Sequence, residues 1–255
     1  MCLQDVIVEI KYIFNTKLKN KKYVKSGNNH GDEGYFIENI YGIKPNSKNL
    51  PDYKRFELKK KSNKITFGDW SADGYLFRQC QRMKIINKIP FNITKECYMK
   101  YFGNYNLKKK RFSFSGRCIP KFSEWSYNGN KFEFDKHNNL FLIYSHDHDK
   151  RNVYIPELFR KQEYIVLQYW KIENLKQKVE NKFNVNGFIV FEKDKENKYS
   201  KLLIGDRINI DNFVKMFKNN DIIFDSGMYD GNSRNYSHFR ASNSIWKRLI
   251  IEEYG

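Results

Sequence analysis

The chain has 255 residues and a formal net charge of +18, from 47 Lys and Arg against 29 Asp and Glu. A surplus of this size favours a polyanionic partner, with nucleic acid ahead of an acidic membrane. The abundance of Lys, Asn, Ile, Phe and Tyr is also the bias of a low-GC genome, so charge alone leaves the partner open. Aromatic residues make up 17% of the chain, which argues against disorder despite the low mean hydropathy.

Cysteine usage and hydropathy bear on the compartment. The four cysteines, Cys2, Cys80, Cys97 and Cys118, are scattered and form no C-x-x-C pair. This spacing argues against a zinc ribbon and a disulfide framework and predicts reduced thiols. The N-terminus lacks the apolar run of a signal peptide, and no stretch approaches the roughly 18 apolar residues of a membrane span. We therefore expect a soluble, cytoplasmic protein with no membrane partner.

The N-terminal part of the chain predicts two helices followed by two strands. Apolar residues at helical spacing indicate a helix over residues 3–18 and a shorter one over Asp32–Tyr41, which Gly42 ends. Two runs that suit strands follow, Tyr53–Lys60 and Lys64–Phe67.

The remainder of the chain predicts mainly strands, then alternating strands and helices. Residues 68–150 hold short aromatic and β-branched runs broken by Gly and Asn, which we interpret as strands and long loops. The later elements are predicted as helices over 172–183 and 210–217, strands over 187–192, 199–204, 222–225 and 238–240, and a terminal helix from Ser244. The pattern predicts an α/β fold with a mixed central sheet flanked by helices.

Three charged side chains stand close together at the first predicted strand. Side chains two apart share one face of a strand, so Glu57 and Lys59 point the same way. Asp52 precedes the strand and can turn its carboxylate toward the same point. Two carboxylates leave a hard cation such as Mg2+ open positions for water and a phosphate oxygen. Lys59 can orient that water or offset charge in the transition state, and Glu38 could add a further ligand or a supporting contact.

The D-x4-E-x-K spacing is weak by itself, because acidic and basic residues also alternate on ordinary solvated strands. The segment GDEGYFIENIYGIKPNSKNLPDYKRFELK, however, resembles the active-site region of the MvaI/BcnI-type restriction endonucleases. That family, related to the nickase MutH, belongs to the PD-(D/E)xK nuclease superfamily. Its pattern is a G-x-x-G-x-x-x-E helix, then P-D-[FY], then an E-[LI]-K strand.

The resemblance assigns roles to four residues of this chain. It implies that Asp52 and Glu57 are metal ligands, that Lys59 is the catalytic lysine and that Glu38 is the helix glutamate of the same site. It also implies Mg2+ as the cofactor, with Mn2+ able to substitute.

Two C-terminal segments are also similar to that family. They are Tyr169–Ile172, and Phe224–Tyr229 with the polar loop that follows it. In the family the second of these segments helps to read bases, so the resemblance makes Arg240 a candidate DNA contact. His238 and Arg234, which lie close to it in the sequence, are further candidates. The loop lacks the histidines that family members have there, so the target sequence cannot be transferred.

Two further polar strings have competing interpretations. Lys109 and Arg111 stand in a basic run before an aromatic segment, which suits phosphate contacts and stacking, and equally a solvated turn. His146 and His148 would share one face of a strand and could bind Zn2+. Because no third ligand is identifiable, a polar turn after the strand at Leu140–Tyr144 is favoured.

The resemblance implies a type II restriction-type endonuclease that hydrolyses double-stranded DNA site-specifically with Mg2+. We expect one domain over 1–255, with a catalytic region over about 20–150 and a DNA-recognition region over about 165–255 that form a DNA cleft. A monomer is expected, with a methyltransferase for the same site as companion. The alternatives are a MutH-like nickase directed by a partner and a non-catalytic DNA-binding protein on the same scaffold.

Overall fold

The computed structural model describes residues 2–24, 31–44, 49–78, 81–88 and 93–255. The α-helices in these ranges are α1 (Leu3–Ile13), α2 (Asp32–Ile40), α3 (Gln81–Asn87), α4 (Lys95–Phe102), α5 (Glu157–Arg160), α6 (Ile172–Phe183), α7 (Ile210–Lys218) and α8 (Asn243–Arg248). A π-helical stretch, Phe14–Leu18, continues α1, and a 3-10 turn spans Gly116–Cys118.

The described ranges hold four sheets, and antiparallel pairing predominates between their strands. They are β1 (Glu57–Lys60), β2 (Lys64–Asp69), β3 (Gly74–Tyr75), β4 (Asn104–Asn106), β5 (Arg111–Ser113), β6 (Asn128–Phe134), β7 (Leu140–Asp149), β8 (Ile165–Trp170), β9 (Phe188–Lys193), β10 (Tyr199–Gly205), β11 (Ile222–Asp225), β12 (His238–Ser242) and β13 (Ile250–Tyr254). The mixed α/β character predicted from the sequence is confirmed.

Several predicted elements need correction. The strand predicted from Tyr53 begins at Glu57, because the residues before it form a tight turn. Helices α3 and α4 lie in the segment predicted as strands and loops, and β13 follows the terminal helix. The string His146–Asp149 is not a turn after a strand but the last part of the long strand β7.

The chain forms two compact units, and each is assembled from segments that are distant in sequence. Unit 1 contains Met1–Ile65, Lys176–Phe213 and Ala241–Gly255, and unit 2 contains Thr66–Leu175 and Val214–Arg240. The units therefore interleave along the chain, whereas the sequence suggested two consecutive regions. The assignment of catalysis and DNA recognition to those two regions stays a prediction.

Unit 1 is built around a four-stranded sheet in the order β1-β9-β10-β13. Strand β1 pairs parallel with β9, while β10 pairs antiparallel with both of its neighbours. The apolar side chains of α1 and α2 pack together with Leu58 of β1 and with Phe56, which directly precedes that strand. Phe14 of the π-helical stretch is fully buried in the same cluster. This packing fixes the strand on which the charged residues stand.

Unit 2 contains an antiparallel sheet in the order β3-β8-β7-β6 and the β4–β5 hairpin. Strand β8 is buried along its whole length, and an apolar cluster of Met83, Ile143, Val166 and Tyr169 packs α3 against this sheet. A further sheet has the order β11-β12-β2. Among the helices in the described ranges, none is long and apolar enough to cross a membrane.

Candidate active site

A tight turn before β1 brings Asp52 back toward the strand. Tyr53 and Phe56 exchange two backbone hydrogen bonds, 2.9 and 2.8 Å long, around Lys54 and Arg55. Both turn residues have positive φ, 45° and 74°, as a two-residue hairpin turn requires. The Asp52 carboxylate thereby reaches the strand, where its Oδ2 accepts a hydrogen bond from the Leu58 amide at 2.8 Å.

Side chains of unit 1 hold this turn in a conformation that non-glycine residues rarely adopt. The carboxylate of Glu9, on α1, accepts a hydrogen bond from the Tyr53 hydroxyl at 2.6 Å and from Lys54 Nζ at 2.7 Å. These contacts offset the backbone strain of the left-handed residues. Helix α1 therefore contributes to the placement of Asp52.

Glu57 and Lys59 share one face of β1, as the sequence predicted. Lys59 Nζ donates a hydrogen bond to Glu57 Oε1 at 2.6 Å, and Glu57 is only 2% exposed. Phe56 and Leu58 belong instead to the apolar core of unit 1. Burial lowers the pKa of Lys59 from its ordinary value, although the neighbouring Glu57 opposes this effect.

A second lysine, Lys182 near the end of α6, reaches the same carboxylate. Its Nζ lies 3.0 Å from Glu57 Oε1, so two ammonium groups share one carboxylate oxygen. Sequence reasoning missed Lys182, which lies far along the chain from Glu57. The amphipathic pattern of α6 predicts the helix, but no sequence signal shows which of its lysines faces β1.

Glu38 and Asp52 lie close enough to Glu57 for their carboxylates to repel it. Burial, and then the charge of Glu57, raises the pKa of Asp52 to about 7. The same two causes, in the same order, raise the pKa of Glu38, while Lys182 and Lys59 act against them. The four predicted residues and Lys182 are therefore close enough for their charges to influence one another.

The carboxylates of Asp52 and Glu57 suit a divalent cation that has few protein ligands. Over the described residues, no group of three or more His, Cys, Asp or Glu side chains is placed to hold a metal ion. Glu57 Oε2 is buried and has no hydrogen-bond partner within the same ranges. A cation between Asp52 and Glu57 would satisfy this oxygen and relieve the repulsion between the carboxylates. Both residues could hold Mg2+, which ordinarily keeps several waters as ligands.

The three candidate DNA contacts near the C-terminus all lie in unit 2. Arg240 of β12 pairs with Asp225 of β11, with Nη1 and Oδ2 3.2 Å apart. His238 stacks on Tyr236 with ring centroids 5.4 Å apart, and burial lowers the pKa of His238. Arg234 is exposed, and its Nη2 lies 2.8 Å from Asp69 Oδ2.

The two basic residues predicted near the middle of the chain lie in a hairpin turn and directly after it. Lys109 is exposed in the turn between β4 and β5, and its amide donates to Asn106 Oδ1 at 2.9 Å. Arg111, the first residue of β5, places its guanidinium 3.4 Å from the centroid of the Tyr229 ring. Tyr229 lies just before the polar loop, so the hairpin supports the start of that loop.

The two histidines considered for Zn2+ have other contacts. His148 stacks on Trp125 with ring centroids 4.3 Å apart, and His146 Nδ1 lies 3.3 Å from the Tyr144 hydroxyl. Tyr144 in turn donates to Asp149 at 3.0 Å. These contacts give the string a role in the packing of unit 2, and within the described ranges the two histidines belong to no group of three or more potential metal ligands.

The chain as a whole is similar to known restriction endonucleases. Residues 15–254 match the family model described as LlaMI restriction endonuclease. The chain is 33% identical over 260 residues to the type II restriction enzyme ScrFI of Lactococcus lactis subsp. cremoris, with 94% of this chain and 95% of that protein covered. A solved structure of restriction endonuclease MvaI with its cognate DNA substrate matches with a TM-score of 0.55 and 15% identity, covering 99% of this chain and 94% of MvaI. This structural likeness concerns the fold, and it agrees with the predicted nuclease core.

Proposed function

This chain belongs to the LlaMI restriction endonuclease family and is a type II restriction enzyme, and on that premise we propose that Asp52, Glu57 and Lys59 form its DNA-hydrolysing site. The observation that supports this assignment most strongly is the geometry around Glu57. A buried carboxylate with one unsatisfied oxygen lies beside a second carboxylate of raised pKa and a hydrogen-bonded lysine. Perturbed titratable groups of this kind cluster at functional sites.

We propose Mg2+ as the cofactor and Asp52 and Glu57 as its protein ligands. When bound, the cation would supply Lewis-acid polarisation of the scissile phosphate. Asp52 must lose its proton to act as a ligand, and its raised pKa makes this loss depend on pH near neutrality. The hydrogen bond from the Leu58 amide holds the carboxylate in place meanwhile. Mn2+ has the same preference for oxygen ligands and should substitute.

Lys59 would orient the attacking water and offset the negative charge that builds up on the phosphate. Its ammonium group is held by Glu57 at 2.6 Å and is therefore positioned before the substrate arrives. Water is largely excluded from this side chain, so its electrostatic effect is stronger than it would be in solution. Lys182 would contribute a second positive charge at the same place.

The net charge of +18 supplies the attraction to the substrate. We further propose that the enzyme acts as a monomer and that a methyltransferase protects the same DNA sequence in the host. Both proposals follow from the family rather than from contacts within this chain. A single site would cut one strand in each encounter, so nicked circles should precede linear product.

The test is to incubate the purified protein with unmethylated plasmid DNA and Mg2+ and to sequence the ends that form. Discrete fragments that disappear with EDTA and in Asp52→Ala support the proposal. Tight DNA binding without cleavage in Mg2+ or Mn2+ would reject it in favour of a DNA-binding protein on the same scaffold. Nicked DNA that persists at long incubation would instead support a strand-specific nickase.

A further inference from the structure

The polar segment Gly231–Ser237, here named the recognition loop, leads into β12 and contains no regular secondary structure. The second half of the loop forms hydrogen bonds and an ion pair with other residues of unit 2. The Ser237 amide donates to Asp69 Oδ1 at 2.7 Å, and the Tyr75 hydroxyl lies 3.1 Å from Ser237 Oγ. Arg234 is fixed by Asp69. The other half of the loop is held in a different way.

Lys95, the first residue of α4, holds the first half of the recognition loop. Its Nζ donates to the Asn232 carbonyl at 2.6 Å, to Asn232 Oδ1 at 2.9 Å and to the Arg234 carbonyl at 3.2 Å. A lysine ammonium has three hydrogens, so these acceptors can use all of its donors. Within the described parts of the chain, Lys95 forms no ion pair with a carboxylate. Its contacts are thus directed at the loop.

The position of Lys95 in its helix is unfavourable on local grounds. Thr94 caps α4 through a hydrogen bond from the Cys97 amide, so Lys95 lies at the first helical position. The N-terminal end of a helix has a partial positive charge, which disfavours a cation there. The contacts with Asn232 and Arg234 offset this cost. The contacts with the loop therefore explain why a lysine stands at this position.

We propose that Lys95 is a positioning residue for sequence discrimination, because it holds the recognition loop in the shape that reads bases. The inference rests on the proposed function and on the base-reading role that the family resemblance implies for this loop, and it adds a residue outside the loop. A loop that is ordered before binding loses less conformational entropy when its side chains engage base edges. Non-specific binding depends on phosphate contacts and requires no such shape. Loss of the three hydrogen bonds should therefore weaken binding to the target sequence selectively.

The experiment compares Lys95→Met with Lys100→Met, which removes an equal charge from the exposed side of the same helix. Affinities are measured in Ca2+, so that cleavage does not interfere. The probes are a duplex with the target sequence that the sequenced cleavage ends define, and duplexes with one of its base pairs replaced. We expect Lys95→Met to reduce the ratio of target to altered-site affinity about tenfold, within the range that one base contact contributes. Lys100→Met should weaken both affinities equally and leave the ratio unchanged.

Hydrogen exchange in the free protein separates loop positioning from general destabilisation. Amides of residues 231–236 should exchange faster in Lys95→Met, while those of β7 and β8 keep the wild-type rate. Lys95→Arg keeps a charged donor and should recover part of the affinity ratio. If Lys95→Met folds poorly, Lys95→Gln provides the same comparison.

The outcomes distinguish the two proposals from each other. A wild-type protein that cuts no DNA rejects the proposed function, whatever the state of the loop. A wild-type protein that discriminates, together with a Lys95→Met variant that discriminates equally well, rejects the role of Lys95. Equal weakening for all duplexes would likewise reject it and make Lys95 a phosphate contact or a merely structural residue.

Discussion

The candidate active site and the recognition loop hold their polar groups in opposite ways. Around Glu57 the charged side chains come from β1, α2, α6 and the turn before β1. Glu57 is buried, and the others are partly buried. In the loop Gly231–Ser237, Lys95 and Asp69 hold mainly the backbone. Arg234 pairs with Asp69 but remains exposed. The first arrangement belongs to unit 1 and the second to unit 2.

We infer that this difference reflects the roles proposed for the two regions. Hydrolysis requires charges at fixed positions in a medium of low dielectric, which buried side chains on rigid elements provide. Base reading requires donors and acceptors that stay accessible on a backbone of fixed shape. If this comparison is correct, substitutions in unit 1 should reduce the rate of cleavage, and those around the loop should reduce discrimination.

The largest effect is expected for Lys59→Met. Removal of the ammonium group takes away charge compensation in the transition state, and we expect the single-turnover cleavage rate to fall on the order of 10^2 to 10^3-fold. Affinity for the target duplex in Ca2+ should change little. The matched control is Lys64→Met, on an exposed position at the start of β2. A fall of similar size in both variants would contradict the assignment.

A smaller loss of activity is expected for Lys182→Met. The Lys182 charge lowers the pKa of Asp52 and of Glu38, so its removal should raise both values. We expect cleavage at pH 7 to fall by about 10 to 100-fold, with the acidic limb of the pH–rate profile moved to higher pH. Lys176→Met, on the exposed face of the same helix, should leave the profile unchanged. A rate loss without a change in the profile would rule out this electrostatic role.

In the region proposed to read DNA, Arg240→Ala should reduce specific binding by about 1–3 kcal/mol if the guanidinium contacts a base edge. Asp225 orients this side chain, which is half-buried on β12. Weak, non-specific affinity should be retained. The control is Arg160→Ala, which removes an exposed arginine of α5. An equal loss of affinity for every sequence would make Arg240 a phosphate contact.

The smallest effect concerns stability without metal. The folded protein raises the pKa of Asp52 from 3.8 to about 7, so folding favours the protonated carboxyl. Stability should therefore decline as pH rises through this interval, because ionisation of Asp52 opposes folding. Asp52→Asn should remove this decline and stabilise the metal-free protein at pH 8, by on the order of 2 kcal/mol, and much less at pH 4. Urea unfolding of both proteins at the two pH values tests this prediction. The same change in the free energy of unfolding with pH in wild type and Asp52→Asn would contradict it.

The sequence predicted those parts of the molecule whose signals are local. Helix α6 shows helical periodicity, strands β9 and β10 are marked by apolar runs, and the spacing of Asp52, Glu57 and Lys59 is short. The turn at Lys54 and Arg55 could not be predicted, because no glycine marks its left-handed residues. It depends instead on tertiary contacts with α1.

Long-range partners were beyond the sequence for the same reason. Lys182 and Lys95 each stand among other lysines, and only the packing of α6 and α4 shows which ones contact the site and the loop. The histidine string shows that a local spacing can also suggest a site that tertiary contacts explain in another way. His146 and His148 share the spacing of metal ligands, yet ring stacking on Trp125 accounts for one of them.

The central claim is that Asp52 and Glu57 bind the cation that DNA cleavage requires. Its most direct test is Mn2+ binding, followed by electron paramagnetic resonance, in wild type, Asp52→Asn and Glu57→Gln, with cleavage of the target duplex measured in the same samples. We expect one site in the wild type and loss of both binding and cleavage in the two variants. Wild-type Mn2+ affinity retained in both variants, or cleavage that persists in them, would contradict the claim.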